Sequence, residues 1–164
     1  MRWALLIGSG ALWVSCTARA RLQRTELRLV EVAKSYVGTP YRYGGLDRRG
    51  IDCSGLVCRV YEEGAGIKLP RTAEAQAKIG RPVARRQLQP GDLVFFKEPG
   101  SRKVTHVGIV SAVQGKEVHF IHASSTRGVR EDRLNDPHWQ ARWQGARRLL
   151  PPSKAHARSG RWEK

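Results

Sequence analysis

Three side chains in this sequence could act together on a covalent bond: Cys53, His106 and His122. Cys53 lies in Ile51-Asp-Cys-Ser-Gly-Leu-Val-Cys-Arg-Val-Tyr61, where Leu56, Val57, Val60 and Tyr61 fall on one helical face. Asp52 is a natural N-cap for that helix, so Cys53 sits in its first turn. The helix dipole and unpaired backbone N–H groups there favour a thiolate. Asp52 opposes that effect, so the thiol needs a cationic partner from elsewhere. The plainer reading of Cys53 is a small buried core residue. Cys58 falls about 140° further round the same helix, cannot share the site, and reads as core.

The partner comes from a hairpin. Thr105 to Ala112 and Glu117 to Ala123 read as strands joined at Gln114-Gly115. Centring the turn on Gln114 sets His106 directly opposite His122 on one face, with Val110, Val118 and Phe120. That face is the expected seat for the apolar side of the Cys53 helix, and His119 points the other way. A bulge in the hairpin breaks this argument. In the resulting layout Cys53 attacks a carbonyl, His106 takes and later returns the proton, and His122 orients His106. The Cys53 N–H contributes to an oxyanion site. One cysteine and two histidines also make a three-ligand zinc set with an open position. No carboxylate or HExxH-like support accompanies them, so no metal and no cofactor are expected.

These residues must be carried by helices that precede a sheet. Glu26 to Val37 has helical spacing and stops at Gly38, and Thr72 to Ile79 is a short helix capped by Thr72 and closed by Gly80. After Pro90-Gly91 the period changes to strands at Asp92–Phe96, the hairpin, and a closing strand over Ala146–Leu150. Helices followed by an antiparallel meander make the fold class α+β.

The chain has 164 residues with 30 Lys and Arg against 14 Asp and Glu, a net charge of +16. The length suits one domain. Such a charge suits a polyanionic environment, or simply a well-solvated surface. Three irregularly spaced cysteines form neither a disulfide framework nor a zinc ribbon. The sequence lacks CxxC, Walker A, GxGxxG and HExxH patterns. Trp3 to Val14 is almost wholly apolar or small after a basic start. It is too short to span a bilayer and suits an export signal over residues 1–15. Ser15-Cys16 resembles a lipobox, although Trp13 stands where Leu is usual, so Cys16 is the expected lipidation site. A simple secretory signal cleaved nearby is the rival. Residues 16–25 then read as a tether, 26–150 as the domain, and 151–164 as a loose basic tail.

Six segments occur in an order that resembles a known family: Tyr41-Arg-Tyr-Gly-Gly45, Gly50-Ile-Asp-Cys-Ser-Gly-Leu56, Leu69-Pro-Arg-Thr72, Pro90-Gly-Asp-Leu-Val-Phe-Phe96, His106-Val-Gly-Ile-Val110 and Phe120-Ile-His-Ala-Ser124. They are similar to the NlpC family of bacterial cell-wall cysteine peptidases. The resemblance implies a papain-like core, with Cys53 as nucleophile, His106 as base and His122 as third polar residue. It implies that Tyr41 helps bind the oxyanion or substrate, and that Asp52 and Ser54 line the cleft. The implied substrates are peptidoglycan stem peptides, cut between D-glutamate and meso-diaminopimelate or at the cross-link. The implied location is the envelope, facing the periplasm, with a membrane anchor through Cys16. Arg42, Arg48, Arg49 and Arg71 stand beside these segments and could clamp substrate carboxylates.

The expectation is therefore a monomeric, exported, thiol-dependent murein endopeptidase. The alternative is a non-catalytic envelope protein that binds wall material in the same cleft. Nucleic-acid binding has only the charge behind it, lacking basic–aromatic interleaving, and an export signal argues against it.

Overall fold

The computed structural model of the protein describes residues 10–150, with side chains from residue 17 onward. The first nine residues of the expected signal, the side chain of Cys16 and the basic tail from residue 151 lie outside the described residues. Four α-helices and eight strands are described: α1 (Gly10–Ser35), β1 (Leu46–Asp47), β2 (Gly50–Ile51), α2 (Cys53–Ala65), α3 (Ala73–Gln76), β3 (Arg81–Val83), β4 (Leu93–Phe96), β5 (His106–Gln114), β6 (Glu117–Ser124), β7 (Gly128–Arg133), α4 (Pro137–Arg142) and β8 (Trp143–Arg148). This is the expected α+β class. The segment expected to be a tether, residues 16–25, is instead the middle of α1. Its run of Ala, Arg, Leu and Gln contains only strong helix formers and no breaker. Among the described residues no helix is long and apolar enough to cross a membrane.

The main sheet is antiparallel, in the order β3-β8-β4-β5-β6-β7. Its two faces are both apolar and are covered differently. On one face Leu93, Phe95, Val107, Ile109, Ile121 and Ala123 pack under α1 and α2, against Leu29, Val32, Leu56, Val57 and Tyr61. On the other, Val94, Phe96, Val110 and Phe120 pack with Leu134, Trp139 and Trp143. The histidines are on the second face, beside Phe96, Phe120 and Trp139. The Cys53 helix therefore does not lie over them, contrary to expectation. A strand pattern that is apolar in both parities leaves open which face a helix will cover.

The hairpin register also differs from expectation. Gln114 pairs with Glu117 across a two-residue turn, and a bulge at Ser111 then shifts the register so that Val110 faces Phe120 and Ile109 faces Ile121. Had the register at the turn continued unbroken, His106 and His122 would point to opposite faces. The bulge returns them to one face, as diagonal neighbours rather than direct partners. Gly108 makes room for this arrangement, because a Cβ there would come within 2.5 Å of the Phe120 ring.

Candidate active site

Cys53 is placed by the start of α2. The Asp52 carboxylate accepts a 2.7 Å hydrogen bond from the Gly55 N–H, which caps the helix and leaves Cys53 as its first residue. The N-terminal end of α2 abuts the beginning of β5. The backbone N–H groups of Val107 and of the first turn of α2 favour the Cys53 thiolate. Cys53 and the histidines therefore meet at the end of the sheet rather than across its face. Cys53, Tyr41, His106 and His122 line one cavity of about 600 Å³.

His106 and His122 touch: His106 Nε2 lies 3.0 Å from His122 Nδ1. The second nitrogen of His122, Nε2, lies 3.0 Å from the Asp132 carboxylate. A carboxylate only accepts, so His122 Nε2 carries a proton and, in the neutral ring, Nδ1 accepts. His106 Nε2 must then donate, which leaves its Nδ1 as the basic lone pair. One carboxylate thus sets the tautomer of two rings in series. Both nitrogens of His122 are used in this chain, so it has no lone pair left for a metal. Among the described residues no group of three or more His, Cys, Asp or Glu is arranged to hold a metal ion.

Trp139, on α4, closes over the pair. Its indole N–H donates to Asp132 at 3.2 Å, and its ring stacks on His106 at 5.5 Å between centroids. Phe120 stacks on His122 from the other side. Arg130 pairs with the free oxygen of Asp132. Asp132 and Trp139 were not apparent from the sequence. Asp132 is on β7, whose Gly-Val-Arg-Glu-Asp-Arg run has little hydrophobic alternation, and its place follows only from pairing with β6, where Phe120 faces Asp132.

Burial sets the protonation states. Burial pushes the Cys53 thiol up, and Asp52 adds to that, outweighing the backbone N–H groups that pull it down. The expected helix-terminus thiolate is therefore not the resting form. Burial, then His122, push His106 down to about 3. Burial also lowers His122, against the opposing pull of Asp132. Burial would raise the Asp132 carboxyl, but the hydrogen bond from His122 and the charge of Arg130 overturn that and hold it below its ordinary value. The resting site is a neutral thiol beside a neutral imidazole pair that ends on a carboxylate. For Tyr41, burial, then Cys53 and Asp52, push the phenol up, so it stays a donor at neutral pH.

The other expected site residues are engaged elsewhere. Arg71 donates from Nη1 to Asp52 and Ser54 at 2.9 and 2.8 Å, and from Nη2 to Asp52 and the Gly45 carbonyl at 2.7 and 3.1 Å. All four terminal N–H groups of the guanidinium are thereby used. Asp52 also accepts from Ser54 and from the Gly44 and Gly55 N–H groups. These three residues form a closed cluster that pins the 41–45 loop to α2, and none of them lines the cavity. Arg48 donates to Ser35, and Arg49 pairs with Asp47, which Arg42 approaches at 3.8 Å. Cys58 is a free thiol against the Leu69 and Pro70 carbonyls, consistent with a packing role.

The NlpC/P60 family model matches residues 38–148, most of the chain. The chain belongs to the NlpC/P60 family. The NlpC/P60 relatives it resembles include the probable endopeptidase NlpC of Escherichia coli K12, 43% identical over 116 residues that make up 71% of this chain and 73% of that protein. Another is the E. coli K12 murein DD-endopeptidase MepS/murein LD-carboxypeptidase, 38% identical over 126 residues, 77% of this chain and 64% of that protein. The crystal structure of the NlpC/p60 domain of the peptidoglycan hydrolase SagA aligns with a TM-score of 0.62 at 31% identity, over 76% of this chain and 98% of that one. An NlpC/P60 family protein from Bacillus cereus ATCC 10987 aligns with a TM-score of 0.67 at 34% identity, over 75% of this chain and 39% of that one. The papain-like fold expected for such a domain is the one observed.

Proposed function

We propose that this protein is a peptidoglycan endopeptidase that cuts stem-peptide amide bonds with Cys53 as nucleophile. The observation that carries this reading is the shared cavity, in which Cys53 and Tyr41 meet a histidine whose tautomer is set by His122 and Asp132. Relatives named as endopeptidases supply the substrate class.

The reaction follows from the proton positions. Cys53 Sγ attacks the amide carbonyl while His106 Nδ1 takes the thiol proton. The imidazolium that forms spreads its charge through His122 to Asp132, so it is stabilised only once the proton has moved. The oxyanion receives the Tyr41 hydroxyl and the Cys53 N–H at the start of α2. His106 returns its proton to the leaving amine, a thioester remains on Cys53, and water activated by His106 releases the acid. The thiol is held neutral at rest, so activity should require deprotonated His106 rather than a preformed ion pair.

The bond is the one between D-glutamate and meso-diaminopimelate, as the name of a gamma-DL-glutamyl hydrolase relative suggests, or the cross-link, as the name of a DD-endopeptidase relative suggests. We place the protein in the envelope, facing the periplasm, as a monomer held by a lipid on Cys16. The test is release of soluble muropeptides from purified sacculi. Wild type should release them and Cys53→Ala should not. Equal release by both would remove the cysteine mechanism. Binding without release by wild type would favour a non-catalytic wall-binding protein.

A further inference from the structure

We propose that the wall of the catalytic cavity formed by the β6–β7 turn and β7 is a carboxylate-binding subsite, with Arg127 and Arg133 as its cations. The inference rests on the endopeptidase reading and adds what the substrate must carry. The cavity has four arginines, Arg127, Arg130, Arg133 and Arg142, and three carboxylates, Glu98, Asp132 and Asp136. Every carboxylate is committed within the protein. Glu98 pairs with Arg142, Asp132 with His122 and Arg130, and Asp136 caps α4 through the His138 N–H. Arg130 and Arg142 thereby each have an internal counter-ion. Arg127 and Arg133 are exposed and have no side-chain partner among the described residues.

The arginines beside the sequence motifs cannot serve this role. Arg71 has spent its terminal donors on Asp52, Ser54 and Gly45. Arg48 and Arg49 are paired on another part of the surface. The uncompensated positive charge of the cavity therefore comes from Arg127 and Arg133.

The turn holding Arg127 is shaped by its own sequence. Ser124 Oγ accepts from the Arg127 N–H at 3.3 Å, and Gly128 follows at a φ of +71°. A Cβ at Gly128 would come within 2.5 Å of the Thr39 carbonyl, which accepts from the Val129 N–H at 2.8 Å. The turn is thus tied to the loop that carries Tyr41. A guanidinium carried on a tied backbone turn at the rim of a cleft, with no internal counter-ion, suits a planar anion bound by two parallel N–H groups. In a peptide that anion is a carboxylate, either at the chain end or on a side chain.

Three matched cross-linked stem peptides separate these sources: the parent, one amidated at the chain terminus, and one amidated on the side chain. Calorimetric binding to the Cys53→Ala protein reads the subsite without turnover. One amidated peptide should bind about tenfold more weakly than the parent, a gap that narrows as salt is added. Arg127→Gln, and to a smaller degree Arg133→Gln, should bring the parent to the level of that amidated peptide. Equal binding of all three peptides, or an Arg127→Gln change that weakens all three alike, overturns the subsite. Separately, wild type that binds the parent but never cleaves it overturns the endopeptidase reading and leaves the subsite standing.

Discussion

Asp52 and Asp132 each hold an arginine, and only Asp132 leads to the cavity that Cys53 lines. Asp52 is buried and accepts from Arg71, Ser54 and two backbone N–H groups, so its bonds close on themselves. Asp132 accepts from Arg130 and Trp139 but turns one oxygen to His122, and through it to His106. Their carboxyls respond alike: burial would raise both, and the donors around them hold both below the ordinary value. What separates them is the end of the chain of hydrogen bonds. A saturated carboxylate fixes backbone, whereas one that passes its bond to a ring sets a tautomer and stabilises a later charge.

The largest effect expected from this contrast is at Asp52. Asp52→Asn leaves Arg71 facing a neutral amide at a buried helix cap. Breaking a fully buried pair costs roughly 3–5 kcal/mol. Arg71 is 37% exposed, so about 2–3 kcal/mol is expected here. Urea unfolding checks it.

Asp132→Asn should do the reverse. The fold should hold, while kcat falls by about 10–100-fold with little change in KM, because an amide can donate to His122 and reverse both tautomers. Asp132→Glu should recover part of the rate. A kcat loss that follows a loss of thermal stability would make Asp132 a second Asp52. Trp139→Phe keeps the ring stack and removes only the hydrogen bond to Asp132. A loss of about three- to tenfold in kcat is expected, with a small change in stability.

A further effect, set by pH rather than by a substitution, is in the acid limb of stability. His106 and His122 have lowered pKa values in the fold, so the unfolded chain binds more protons below about pH 6.5. Stability should therefore begin to fall as pH drops through about 6.5, before the depressed carboxylates of Asp52 and Asp132 add their losses below about pH 4. His106→Gln should flatten the upper part of this limb and leave the lower part intact, which denaturant titrations at stepped pH would show.

The contrast between the two aspartates also marks how far the sequence could be read. Asp52 was legible as an N-cap because capping is local, and it placed Cys53 on the first turn of α2. β4, β5 and β6 were legible because their apolar runs are long. Asp132 was not, because its role depends on how an edge strand of polar residues pairs with β6. The two histidines were correctly placed on one face, but from a register that the structure replaces: the bulge at Ser111 restores the parity that the true turn position removes. The helix was assigned to the wrong face because both faces of the sheet carry apolar residues.

The most direct measurement is mass spectrometry of sacculi digested to completion by the purified protein. A thiol endopeptidase must create one new amino group and one new carboxyl group within the stem peptides, leave the glycan strands intact, and lose both products when Cys53 is replaced by Ala. Shortened glycans, or peptides identical to those of an untreated control, would contradict the assignment.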